Sequence, residues 1–422
     1  MKNLSGDLQS SPRLRWPLDV QRVESNNEQF IVLRDQLGIA TEPAVIPAAI
    51  MPILARLDGQ HSLQEILTES SPYGVTAEFL HRIVFELDAL NLIDTSRTRA
   101  RLGELREDYR MLAEREAALA GVVYSADPQQ LNRELIDYLS RASRGEKFSL
   151  KAQQKTISMI CPHIDYRRGW ETYAAAYRIL EVTEPPDIII LLGTAHQPAE
   201  GIFHLTDKDF KTPLGTAPVA KSLIRDLANF YGSEKSFKEE LLHKREHSLE
   251  LQLPFLMHRY GGENPPEILP ILVGSFHPFV AGHLQPIDNS EVRDFVDGLS
   301  GITKNLLSSG KKVLFYGGVD LAHIGLSFGD HERISETGLE QLELRDRELL
   351  ECVLEGDEHR LFEHIASDQD KRRICGFPSI YTMLASMKRA GISTTGHLID
   401  YQQAVDSKTD CVVSFAAAAW TR

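Results

Sequence analysis

Cysteine is scarce in this 422-residue chain: Cys161, Cys352, Cys375 and Cys411 are scattered and form no C-x-x-C pair. That excludes a disulfide framework and an all-cysteine zinc site, and it fits a reducing cytoplasm. The N-terminal stretch MKNLSGDLQSSPRLRWPL lacks the apolar region of a signal peptide, and no run approaches the ~20 apolar residues that cross a bilayer. Neither export nor a membrane partner is expected. Positive charge is also in deficit. With 46 Lys+Arg against 60 Asp+Glu the net charge is −14, which repels phosphate backbones and anionic lipid, so no nucleic-acid partner is expected. The cluster Arg97, Arg99 and Arg101 is too local to reverse that. There is no GxxxxGK(S/T) or GxGxxG phosphate loop and no G-x-S-x-G elbow, so nucleotide-loop enzymes and serine hydrolases drop out. What remains is ordinary globular material, 42% hydrophobic and 25% charged, long enough for two or three domains.

The texture changes along the chain. Residues 1–25 are polar, lack a sustained apolar period and read as a mobile arm. Residues 26–95 read as a small winged-helix-like α+β module. In it a short strand around Phe30–Leu33 precedes helices carrying Ile50, Ile53, Leu54 and Leu57, then Leu63, Ile66 and Leu67, then Leu80, Ile83, Val84 and Leu87 at helical spacing. Ser62 and Glu65 form a capping-box pattern at the second of these. Residues 96–119, rich in Arg, Glu, Leu and Ala with alternating charge, read as a helical connector. From residue 120 to 422, apolar runs bounded by glycine alternate with helical stretches, as expected of an α/β domain with a mostly parallel central sheet flanked by helices. The run Cys411–Ala416 reads as one more central strand.

In open α/β sheets ligands gather beyond the carboxyl ends of the strands. Three such ends carry usable groups: His163 with Asp165, His196 after Gly193, and Asp320 followed by His323. A single histidine there is ordinarily a hydrogen-bonded structural residue. Three in the same topological position could converge on one divalent ion, because neutral imidazole suits iron, zinc, copper or nickel. The stretch HKREHSLELQLP adds Glu246 and His247 at a helix start, where the plain alternative is a cap and a solvated turn and the chemical one is proton transfer. Ser248 beside His247 lacks the geometry of a nucleophile, and Cys161 reads as a buried inert thiol.

The segments CPHIDYRRG, LLGTAHQ, TPLG, REHSLELQLPFL, ILPILVG, GGVDLAHIG and CGFPSI, with AGVVYSADPQQL ahead of them, together resemble the Memo-like family, whose bacterial members are called AmmeMemoRadiSam system protein B. That family's fold is similar to LigB-type class III extradiol dioxygenases, non-haem iron enzymes. The resemblance implies that His163 and His196 fall on two metal ligands and His247 on an acid/base position with Glu246 beside it. Ala322 stands where some relatives have a cysteine, so His323 becomes the third ligand, with Asp320 as the alternative carboxylate. Arg245 replaces an acidic residue of some relatives. Iron is the first expectation for the metal, with zinc or copper as alternatives. The expected function is a non-haem metal-dependent enzyme, redox or oxygenase-type, acting on a small-molecule or peptide-linked substrate. The rival reading is a non-catalytic metal-binding scaffold. Residues 26–95 are separately similar to PqqD-like domains, which implies recruitment of a peptide, and the family name implies radical SAM and AMMECR-type partner proteins.

Overall fold

The computed structural model describes residues 8–25, 28–35, 37–40, 42–142 and 155–422. They divide into two compact units, Met1–Met111 and Leu112–Arg422. The first unit is α+β: strands β1 (Asp19–Ser25), β2 (Glu28–Arg34) and β3 (Ala44–Pro47) form an antiparallel sheet in that order. Helices Met51–Arg56, Leu63–Ser70, Ala77–Ala89 and Ser96–Arg110 follow. Ser62 and Glu65 make both halves of the expected capping box. Ile31, Leu33, Leu54, Leu63, Leu80 and Val84 meet in one buried core, the faces that the helical spacing predicted.

Two boundaries differ from the sequence reading. Residues 8–25 are not an arm: β1 pairs along its whole length with β2, Leu14 N donates to the Leu57 carbonyl at 2.7 Å, and Leu63 N donates to that of Ser10 at 2.9 Å. Backbone pairing holds this segment, and backbone pairing leaves no apolar period to read. Residues 1–7 of the proposed arm lie outside the described residues. The connector helix stops at Arg110, and β4 (Glu114–Arg115) already belongs to the second unit. The side chain of Arg115 is fully buried there, a tertiary demand that overrides the helical propensity of its neighbours.

The remaining strands of the second unit are β5 (Thr156–Cys161), β6 (Ile188–Thr194), β7 (Phe203–Leu205), β8 (Asp209–Thr212), β9 (Gly215–Ala217), β10 (Glu267–Val273), β11 (Val313–Gly318), β12 (His323–Ile324), β13 (Thr395–Asp406) and β14 (Cys411–Thr421). The main sheet runs β12-β14-β5-β11-β6-β10-β7, with β13 on β14, and β4-β8-β9 form a small sheet of their own. β5, β11, β6 and β10 are mutually parallel, and the other four strands join antiparallel. The sheet is therefore parallel at its centre, as expected, and mixed overall because antiparallel strands flank that centre on both sides. Cys411–Ala416 does lie in a strand paired on both sides, but that strand returns from β13 through a short turn, which imposes antiparallel pairing. A uniformly apolar run carries no sign of its direction. Among the described residues no helix is long and apolar enough to cross a membrane.

Candidate metal centre

The order β5-β11-β6 puts the carboxyl ends of three parallel strands side by side, with His163 just past β5, Asp320 just past β11 and His196 just past β6. The fourth piece is the turn from Glu246 to Gln252, which sits directly on those strand ends. Two glycines let it come that close. A Cβ on Gly193 would lie 2.6 Å from Ser248 Oγ and 2.7 Å from Leu249 Cδ2, and one on Gly318 would run into the Ser248 carbonyl oxygen.

Three imidazoles meet there. Ring centroids are 4.9 Å apart for His163 and His196, 5.2 Å for His163 and His247, and 4.4 Å for His196 and His247. Each ring is held through Nδ1. His163 Nδ1 donates to the Gly318 carbonyl oxygen at 2.9 Å, and His196 Nδ1 bonds Glu246 Oε1 at 2.9 Å. His247 Nδ1 lies 3.1 Å from the same oxygen. This anchoring leaves Nε2 as the nitrogen of each ring available to an ion, the arrangement by which ligating histidines are oriented. Burial, and next the neighbouring rings of His196 and His247, hold His163 well below the usual histidine pKa, so it is neutral. The 3.7 Å approach of Asp320 Oδ2 to its Nε2 is therefore not an ion pair.

Glu246 caps the short helix His247–Glu250. Its Oε1 accepts from the amides of His247 at 2.8 Å and Ser248 at 3.0 Å, and its Oε2 accepts from that of His196 at 3.0 Å. Burial opposes the charge, but the His196 and His247 rings outweigh it and keep the carboxyl well below its ordinary range. Glu246 thus anchors both rings and the turn that carries it. For His247 burial works downward and Glu246 upward, with a net rise above the usual histidine value. With 38% of its side chain open, against 27% for His196 and 2% for His163, His247 is the most open of the three rings.

Asp320 is buried. Its Oδ1 accepts from the amides of His163 at 2.8 Å and Ile164 at 3.3 Å, so it holds the loop that carries His163, and burial raises its carboxyl pKa. His323 behaves differently from its neighbours. Its Nδ1 turns back to the Leu321 carbonyl oxygen at 3.2 Å, its ring meets Phe328 edge-on at 5.1 Å, and burial lowers its pKa to about 4. Two groups of ligand atoms lie within 4.8 Å of one another among the described residues: His163, His196 and Cys375, and His196, Glu246 and His247. His323 is in neither, because its backbone has entered an antiparallel bridge with β14.

Cys375 is the member that the strand-end pattern missed. Its Sγ lies 3.4 Å from His163 Nε2, and its amide donates to the Leu321 carbonyl oxygen. Gly376 makes this docking feasible, since a Cβ there would sit 2.7 Å from the Val319 Cβ. Burial, and then the Asp320 carboxylate, push its thiol pKa well above the usual value. A thiolate at this place therefore calls for a positive partner. The donor set fits one: a soft sulfur and two imidazole lone pairs suit iron, copper or zinc, and calcium or magnesium poorly. Cys161 is buried in β5 as an inert thiol, and Ser248 spends its hydroxyl on the Thr194 carbonyl oxygen at 2.8 Å.

Residues 115–419 match the family described as Memo-like protein. A MEMO1 family protein of Aquifex aeolicus is 26% identical over 392 residues, covering 92% of this chain and 95% of its own. One from Thermus thermophilus is 28% identical over 75% of this chain and 86% of its own, and one from Methanosarcina barkeri is 28% identical over 72% and 98% respectively.

Proposed function

We propose, on the premise that this chain belongs to the Memo-like family, that it is a non-haem metal-dependent enzyme whose ion is held by His163, His196 and Cys375. The observation that carries the reading is the 3.4 Å approach of Cys375 Sγ to His163 Nε2, inside a group in which each histidine is oriented from its far nitrogen. A bound divalent cation, iron first with zinc or copper as alternatives, would supply Lewis acidity and, if redox-active, electron transfer. Three protein ligands leave a position open, as a catalytic site requires. The protein's own part is to exclude water from His163, to hold Glu246 ionised, and to keep His247 poised as the proton donor or acceptor at the open edge. The LigB-type resemblance supports an oxygenase or other redox reaction on a small-molecule or peptide-linked substrate. Metal analysis of protein prepared without an affinity tag tests this. His163→Ala, His196→Ala and Cys375→Ser should lose the metal and His323→Ala should keep it; equal content in all would overturn the reading.

The second reading, a scaffold whose first unit recruits a peptide or a radical SAM or AMMECR-type partner, draws on an observation of its own. β3 pairs only with β2 among the described residues, and Ile50, Ile53, Tyr73, Val75 and Phe79 line a groove of about 950 Å³ within the same unit. An open strand edge can accept an extended peptide by main-chain pairing, and an apolar groove can take its side chains. Metal-dependent turnover that survives Phe79→Asp, with no peptide bound by the native chain, would defeat it.

A further inference from the structure

We propose that Arg115 and Glu250 are the positioning pair of the metal centre, clamping the one-turn helix that aims Glu246 and His247; this rests on the metal reading above. A helix of four residues, His247–Glu250, has no stability of its own. It is gripped at both ends by one guanidinium. Arg115 Nη2 donates to the Glu246 carbonyl oxygen at 3.0 Å and Nε to that of His243 at 2.7 Å, while Nη1 meets Glu250 Oε2 at 2.5 Å and donates to the Glu116 carbonyl oxygen at 3.0 Å. Glu250 in turn accepts from the amides of Ala118 at 3.1 Å and Leu119 at 2.7 Å and from Tyr124 Oη at 2.6 Å.

Both charged side chains are fully buried, and the guanidinium carbon lies 5.2 Å from the centre of the Phe210 ring. Desolvating such a pair offsets much of its attraction, so stability alone is a poor account of it. What it secures is geometric. The planar fork fixes the carbonyls of residues 243 and 246, and hence the place from which Glu246 reaches the Nδ1 atoms of His196 and His247. Lysine, a point charge, cannot span both carbonyls and the carboxylate at once.

The test titrates the full-length native chain, Arg115→Lys and Glu250→Gln with cobalt(II), and reads the Nδ1 proton resonances of His196 and His247 before cobalt is added. Phe295→Leu, which loosens packing against Phe203 and Tyr231, is the control for lost stability. Both clamp variants should bind cobalt roughly 10- to 100-fold more weakly and lose or shift those resonances, while Phe295→Leu keeps native values. Native affinity and resonances in the clamp variants overturn the proposal, as does an equal loss in Phe295→Leu. Should neither clamp variant fold, Tyr124→Phe decides: a smaller loss in the same direction supports the clamp, and native behaviour overturns it. If the native chain binds no cobalt, the metal reading fails, and the Nδ1 resonances alone judge the clamp.

Discussion

Cys375 Sγ and His163 Nε2 stand 3.4 Å apart although 212 residues separate them in the chain. The ring is held by the Gly318 carbonyl, and the backbone bearing the thiol by the docking of Gly376 against Val319 and Asp320, with Sγ 3.7 Å from the Asp320 carbonyl oxygen. Cys375→Ser should therefore weaken cobalt(II) binding by more than the roughly 10- to 100-fold that a lost supporting hydrogen bond costs. It should also abolish the thiolate-to-metal absorption band. His323→Ala should leave both unchanged, as followed by optical titration.

Glu246→Gln keeps the shape of the anchor and removes its charge. An amide offers one acceptor oxygen where the carboxylate serves two rings and three backbone amides. The His247 pKa, raised by Glu246, should fall below its native value, and metal affinity should drop roughly 10- to 100-fold. Imidazole resonances followed against pH, with a parallel metal titration, measure both.

Gly193→Ala should move the site without touching a ligand. The added methyl meets Ser248 Oγ and Leu249, so the turn bearing Glu246 must lift. A cost of about 1–3 kcal/mol in denaturant unfolding is expected, with reduced metal content.

Acid should destabilise the second unit. Burial lowers His204 to about 4 and His243 to about 3, both from 6.5. The unfolded chain then binds protons that the folded one refuses, so the stability these groups confer is complete above about pH 6.5 and is lost as pH falls toward 3. At pH 5 each would cost about 2 kcal/mol. The thermal midpoint should fall steeply from pH 6.5 to 4, and more gently in His204→Gln.

A chain of residues 112–422 should fold alone. Its core is separate from that of the first unit, and the Methanosarcina barkeri relative is nearly all accounted for by a match of 306 residues. A cooperative unfolding transition and unchanged metal content are expected; an aggregated or molten product would contradict this.

Local signals reached far. The helices of the first unit were readable from apolar spacing and caps, His163, His196 and Asp320 as candidates from the habit of parallel strands to carry polar groups past their carboxyl ends, and His247 from the charged opening of its helix. The same habit placed His323 beside them, and the structure brings it into neither group of ligand atoms among the described residues. Three residues beyond Asp320 the chain has turned into a bridge with β14, and nothing in GGVDLAHIG announces that turn. Cys375 follows no strand. It precedes the helix Phe377–Arg389, and its only trace in the sequence is the small, kinked C-G-F-P that opens it.

The amino-acid order by itself offered the histidines as candidate ligands, marked the carboxyl ends of the central parallel strands, and showed that the cysteines are too few and too scattered for a sulfur-only site. Tertiary structure alone decided which of them share a point in space. That depends on strand direction, on glycines that allow one turn to settle on three strand ends, and on a buried arginine that holds the turn down. These are contacts between segments from 50 to 212 residues apart, and a periodicity measured over a dozen residues cannot contain them.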